Sequence, residues 1–204
     1  MKVTKLEEVT RSRYKVYIEE RFAFVLYKGE LSHFHIKEDS EITEEMYRQI
    51  IDDVIVKRGK KRILYLLEQM SRTESQIREK MRQNFYTDEV IDEVIRYAQG
   101  YGYMDDGNYA KMYIVEKKQR KSKKEIYCDL IKKGIDKETL QEAMGVYYSD
   151  EDSTQAIHKI AVKKGYDEIH NTEKEKQKIF AYLMRKGFAY RDICQVLRVS
   201  ERNA

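Results

Sequence analysis

The 204-residue chain is 37% charged and 41% apolar, contains no proline and carries a net charge of +4. Such a composition fits one or two compact domains of locally packed elements better than one thick sheet core, and without proline the helices must be stopped by Gly, Asn or caps. No run of about 18 apolar residues exists to form a membrane span, and "MKVTKLEEVTRSRYKVY" lacks the apolar core of a signal peptide. A cytoplasmic location is therefore expected. The two cysteines, Cys128 and Cys194, lie far apart without CxxC spacing and read as small core residues in a reduced compartment.

Residues 1–40 read as a small antiparallel β extension, a hairpin or meander. Tyr14, Val16 and Ile18 of "RYKVYIEE" share a face; "RFAFVLY" and "LSHFHI" continue the period of two, with Gly29 in a turn between them. Two or three strands are marginal alone, so this piece must pack on the helices that follow. Residues 41–56 predict a connecting helix, capped by Thr43, with Glu44 and Glu45 in its first turn and an apolar stripe of Ile50, Ile51, Val54 and Ile55.

From residue 57 the pattern repeats about every 50 residues, the range of stacked supersecondary units. The segments 75–95, 124–144 and 177–197 each hold an apolar pair four apart: Ile77/Met81, Ile126/Leu130 and Ile179/Leu183. A turn follows at Asn84, Gly134 or Gly187, then Phe85, Ile135 or Phe188, and then a second helix anchored by Val90/Val94, Leu140/Met144 or Ile193/Leu197. The first copy reads one residue shorter before its turn. Thr73–Gln76 and Ser122–Glu125 fit capping boxes at equivalent places. A further helix opens each unit. The expected fold is mainly α: three tandem three-helix units, 57–103, 104–148 and 149–204, forming an elongated body behind the β extension, the last unit serving as a cap.

The aspartate pair in "YGYMDDGNYA" (101–110) stands where the second unit begins. Asp105 and Asp106 read as a helix start, since no later ligands complete a calcium loop. "SDEDST" (149–154) places the same chemistry at the next junction. His33 and His35, on one face of the expected strand, lack a third ligand, so no metal is expected. No Gly-rich phosphate loop occurs and no nucleophile stands beside a poised His, so neither a cofactor nor catalysis is expected. The seventeen tyrosines fall mostly on helix stripes or in strands, which assigns them to packing before base stacking.

Charge is uneven. Residues 1–56 carry 9 basic and 12 acidic residues, a net of −3, whereas 57–204 carry 31 and 24, a net of +7. The excess lies in "KRGKKR" (57–62) and "KKQRKSKK" (117–124), more charge than helix capping needs, and suggests a polyanion or an acidic protein surface as partner.

Four stretches resemble the RecX family: "RTESQIREKM" (72–81), the junction "GYMDDGNYA" (102–110), "IYCDLIKKGI" (126–135) and "FAYLMRKGF" (180–188). The opening "RYKVYIEERFAFVLY" is similar to the N-terminal extension of RecX proteins from Gram-positive bacteria. The resemblance implies a non-enzymatic regulator, a monomer that lies in the groove of the RecA–DNA filament and inhibits ATP turnover, filament growth and strand exchange in homologous recombination, DNA repair and the SOS response. It implies no membrane association and, at most, a weak nonspecific nucleic-acid contact. The residues expected to meet the partner are Lys57, Arg58, Lys60, Lys61 and Arg62 in the first unit. In the second they are Lys117, Lys118, Arg120, Lys121, Lys123 and Lys124, and in the third Arg185, Lys186, Arg191 and Arg198. The alternative is a direct DNA-binding regulator with helix-turn-helix-like units, for which "FAYRDICQVLRVSERN" (188–203) offers the opening part of such a motif.

Overall fold

The computed structural model describes residues 1–167 and 169–199. The chain forms a three-stranded antiparallel meander followed by helices, and it divides into two compact units, residues 1–104 and residues from 105 onward.

The sheet comprises β1 (Val3–Thr10), β2 (Arg13–Ile18) and β3 (Arg21–Tyr27) in that order. Val16 and Ile18 of β2 are buried as their alternation predicts, and Ala23, Phe24, Val25 and Leu26 of β3 are buried in succession. Glu19 and Glu20 both take positive φ, 48° and 65°, which turns β2 into β3 through the two-residue hairpin geometry that matches strand twist. β1 is a strand that the alternation in the sequence does not announce. Its "VTKLEEVT" carries three charges and lies at the sheet edge, where polar side chains cost nothing and blunt further pairing.

"LSHFHI" is not a strand. Lys28–His33 form helix α1, closed at its N-terminus by Glu30, whose carboxylate accepts from the Tyr27 N–H at 2.7 Å. Gly29 is helical, His33 ends the helix and His35 takes φ 53°, so the two histidines do not share a strand face. The period of two misled because in six residues Leu31 alone becomes a buried helix anchor.

Helix α2 (Glu44–Gln49), capped by Thr43 as expected, does not end before the first three-helix unit. It passes through a π-helical turn, Ile50–Val56, into α3 (Lys57–Gln69), with helical backbone at both joins. The wider turn resets the helix face, so that Ile50, Ile55 and Val56 and then Gly59, Ile63 and Leu66 all reach the core. α4 (Glu74–Arg82) and α5 (Asp88–Gly100) complete this unit; Gly59 lies so close to α5 that an added Cβ would sit 2.9 Å from Val94 Cγ1. One core spans the unit, joining Val16 and Phe24 of the sheet to Ile55, Ile63, Met81 and Val94 of the helices. The sheet thus gets the helical support that three strands require.

The second unit holds α6 (Asp106–Lys117), α7 (Lys123–Lys132), α8 (Lys137–Tyr147), α9 (Asp150–Lys163), α10 (Glu173–Arg185) and α11 (Tyr190–Leu197). Ile114, Ile126, Leu130 and Leu140 centre one apolar cluster; Ile157, Leu183, Ile193 and Leu197 centre another. The expected capping boxes form at Thr73 and Ser122, and further ones at Ser149 and Thr172. Asp105 is an N-cap, its carboxylate accepting from the Asn108 N–H at 3.0 Å. Cys128 is exposed rather than a core residue.

The turn inside each helix pair has one geometry. Ile135 N–H donates to Leu130 C=O and Gly134 N–H to Ile131 C=O; Phe188 and Gly187 do the same to Leu183 and Met184. In the first pair Tyr86 donates to Met81 and Phe85 to Arg82. Phe85, with φ 65°, is therefore the counterpart of Gly134 and Gly187, and Tyr86 that of Ile135 and Phe188. No residue is missing from the first copy; aligning Asn84 with the glycines creates the apparent gap. This is the double hydrogen-bond closure of a left-handed helix C-terminus.

Candidate partner-binding surface

Fifteen basic side chains are expected to form the partner surface, and the structure separates them into those spent on the fold and those left for solvent. In α3, Lys57 pairs with Asp53 at 2.7 Å and Lys60 with Glu93 at 3.2 Å, its Nζ also 5.1 Å from the Tyr97 ring centre. Arg58 binds the Glu30 carboxylate and donates to Val25 C=O at 3.0 Å, fastening helix to sheet. Arg62 packs on Tyr65, and Lys61 is exposed.

The run 117–124 joins α6 to α7, and much of its charge is structural. Lys118 reaches Asp152 at 3.0 Å, and Lys121 binds Asp129, which also accepts from the Tyr113 hydroxyl at 2.8 Å. The Lys121 hydrogen bond holds the Asp129 carboxyl below its ordinary value. The same bond raises Lys121, and burial, aided by Asp129, raises the Tyr113 hydroxyl. Lys117 pairs with its neighbour Glu116. Arg120, Lys123 and Lys124 remain exposed.

Ser122 is the pivot of this segment. Its side chain is 1% exposed, caps α7 by accepting from Glu125 N–H at 3.1 Å, and donates to Lys186 C=O at 2.6 Å. Lys186 Nζ returns to Glu125 at 2.8 Å, which raises its pKa. Ser153 on α9 donates to Asp192 on α11 at 2.9 Å. The start of α7 is thereby fixed against the α10–α11 turn, and an open groove of about 380 Å³ lies at the junction, lined by Lys123, Lys124, Tyr127, Tyr148, Phe188 and Asp192 among others. Lys123 and Lys124 make one wall basic, while Asp150 and Asp192 supply carboxylates to the same groove. In the third helix group Arg185 and Arg191 lie near the ends of α10 and α11, both exposed, and Arg198 caps α11 with φ 49°.

Among the described residues no three His, Cys, Asp or Glu side chains cluster in a metal-holding arrangement, and no helix is long and apolar enough to cross a membrane. What the site offers is a preorganised set of cations beside an apolar groove, suited to an anionic macromolecular surface. Arg13 is absent from the expected set, yet strand register places it opposite Tyr27 and near the α3 arginines; only that pairing could have revealed it.

Residues 105–144 match the family model of the second three-helix domain of RecX, and residues 150–197 that of the third. The regulatory protein RecX of Caldanaerobacter subterraneus subsp. tengcongensis is 31% identical over 190 residues, covering 93% of this chain and 94% of its own. That of Clostridium acetobutylicum is 30% identical and spans 98% of both chains. In structure, a crystallised regulatory protein RecX has a TM-score of 0.64 at 23% identity, covering 97% of this chain and 98% of that one. RecX from Lactobacillus salivarius has a TM-score of 0.58 at 27% identity, covering 70% of this chain and 94% of its own. With full-length similarity to regulatory proteins, both C-terminal three-helix domains matched and the same fold, the chain belongs to the RecX family.

Proposed function

We propose that this protein regulates RecA by binding the RecA–DNA filament as a cytoplasmic monomer, inhibiting ATP hydrolysis, filament growth and strand exchange without catalysing a reaction itself. The observation that carries the reading is family membership over the full chain. The surface supports it. Arg120, Lys123 and Lys124 are exposed on a segment whose backbone is pinned through Ser122, so a partner orders their side chains but not the backbone that carries them. Cations displayed in this way raise association rates and orient a partner more than they deepen affinity.

The test is the single-strand-dependent ATPase of the RecA from the same organism, titrated with this protein. Inhibition is expected at substoichiometric to near-stoichiometric ratios. The Arg120→Gln/Lys123→Gln/Lys124→Gln variant should melt as the parent does and require about five- to tenfold more protein for equal inhibition. A folded parent without effect on the ATPase rejects the proposal. Inhibition that disappears when excess DNA is supplied would assign the protein to direct DNA binding instead.

A further inference from the structure

The acidic N-terminal segment conceals a cationic cluster that only the fold assembles. The β1–β2 turn brings Arg11 and Arg13 beside the end of β3, where Arg13 stands opposite Tyr27 and Lys28 N–H donates to Ser12 C=O at 2.9 Å. From α3, Arg58 and Arg62, one helical turn apart, reach the same region. The Arg58 guanidinium lies 4.7 Å and the Arg13 guanidinium 6.0 Å from the centre of the Tyr27 ring. Arg62 lies 5.6 Å from that of Tyr65. The partly buried Tyr86 hydroxyl feels the same charges: burial raises its pKa, and Arg58, Arg13 and Arg62 oppose that shift.

The cluster is undercompensated. Among the described residues five cations, Arg11, Arg13, Lys28, Arg58 and Arg62, meet one carboxylate bonded to any of them, that of Glu30, which Arg58 already engages. Glu7, on the neighbouring strand, is held by Lys5 and Lys15. Arg13 and Arg62 have no carboxylate partner among the described residues, and the Nε of each is buried without an acceptor. Like charges held together cost folding energy, so a fold that gathers guanidiniums without acids marks a place where an anion completes the set. Guanidinium forks match phosphate oxygens in pairs. The Tyr65 ring, 53% exposed, adds a flat face for a base. A duplex keeps its base faces inside the stack, and an acidic peptide would leave the ring unused.

We propose that the surface formed by Arg11, Arg13, Lys28, Arg58, Arg62 and Tyr65 binds the backbone of a single-stranded nucleic acid, with a base stacked on Tyr65. This goes beyond the filament reading and needs no RecA, so the two fail separately.

The test is anisotropy of a fluorescein-labelled oligothymidylate of about 20 nucleotides, long enough for one such site, with the full-length protein across a salt series. Binding is expected to weaken linearly in log–log form. In Arg13→Gln/Arg62→Gln the affinity should fall about tenfold, and the slope should drop by about 1.4, or about 0.7 for each phosphate no longer neutralised. Arg11→Gln/Lys28→Gln, which touches exposed side chains alone, should lower the slope similarly and guards against a variant that fails to fold. Tyr65→Ala should weaken the oligothymidylate about fivefold while leaving inorganic polyphosphate binding unchanged. Parent-like binding by both charge variants would overturn the proposal. Equal affinity for a duplex of the same length would overturn the single-strand assignment. Poly-glutamate that displaces the oligonucleotide at equal charge would replace the nucleic acid with an acidic protein segment.

Discussion

Phe85 holds a left-handed backbone, φ 65°, at the position that Gly134 and Gly187 fill in the later helix pairs with φ 84° and 80°. A side chain there costs roughly 1–2 kcal/mol, and the Phe85 ring recovers part of it by packing beneath Lys15 Nζ at 4.7 Å. The two kinds of position respond oppositely to substitution. Phe85→Gly should change stability by less than about 1 kcal/mol, relief of strain offsetting the missing ring. Gly187→Ala should cost about 1–2 kcal/mol or more, since its Cβ would meet Lys124 Cβ and Cδ at 3.1 Å. Urea midpoints of the two variants decide this, and a Gly187→Ala protein as stable as the parent would contradict the turn geometry. Caps were legible in the sequence for a local reason: Thr73, Asp105 and Ser122 each bind a backbone N–H three residues on, so the signal lies within one helical turn. The fate of a lysine was not. Lys121 and Lys123 look alike in "KKQRKSKK", yet one is bonded to Asp129 eight residues away and the other faces solvent.

Elements were legible where their periodicity ran long. The amphipathic pairs α4–α5, α7–α8 and α10–α11 announce themselves through two turns or more of apolar spacing, whereas β1 hides behind edge-strand charges and α1 is too short for its period to be read. The π turn carries no sequence signature; it follows from the need of α2 and α3 to present one continuous face to the sheet. Packing between elements also sets a pH dependence. α6 and α7 are joined by Asp129, which accepts from Lys121 and Tyr113 and has a lowered pKa, chiefly through the Lys121 bond. A carboxylate whose folded value lies below its unfolded one stabilises the fold above the unfolded value, near 3.9, and loses that contribution as pH falls through the folded one. Lys121, raised in the fold, contributes below about 10.4, so the pair is intact across the neutral range. Asp129→Asn should lower stability by up to about 1 kcal/mol near neutrality, a partly exposed pair being screened by solvent. The gap to the parent should close as the pH falls below about 4. A gap in urea midpoint that stays constant from neutral pH into acid would show that the loss is one of shape, not of charge.

At the scale of the molecule, three similar copies in the sequence become two compact units in space. The first copy merges with the sheet because each needs the other. Three strands cannot bury enough surface alone, and Ile55, Ile63 and Val94 present an apolar face that Val16, Phe24 and Leu26 cover. The later two copies keep separate apolar clusters and are joined by polar bonds through Ser122, Lys186, Glu125, Lys118 and Asp152. Repeat length alone could not reveal this asymmetry, since it lies in which faces are shared. It predicts how the protein comes apart. A fragment of residues 1–104 contains every member of the first core, from Val3 to Met104, and should unfold in urea as one cooperative transition, coincident by far-ultraviolet circular dichroism and tyrosine fluorescence. Deleting residues 1–40 from the full chain removes Val3, Val16, Phe24, Leu26 and Ile36 from that core. It should abolish the transition of the first unit while the helices from residue 105 onward still melt cooperatively. If the 1–104 fragment is unfolded in native buffer, or if the deletion dissolves both transitions, the two units do not fold separately and the division of the chain at Met104 is not an energetic one.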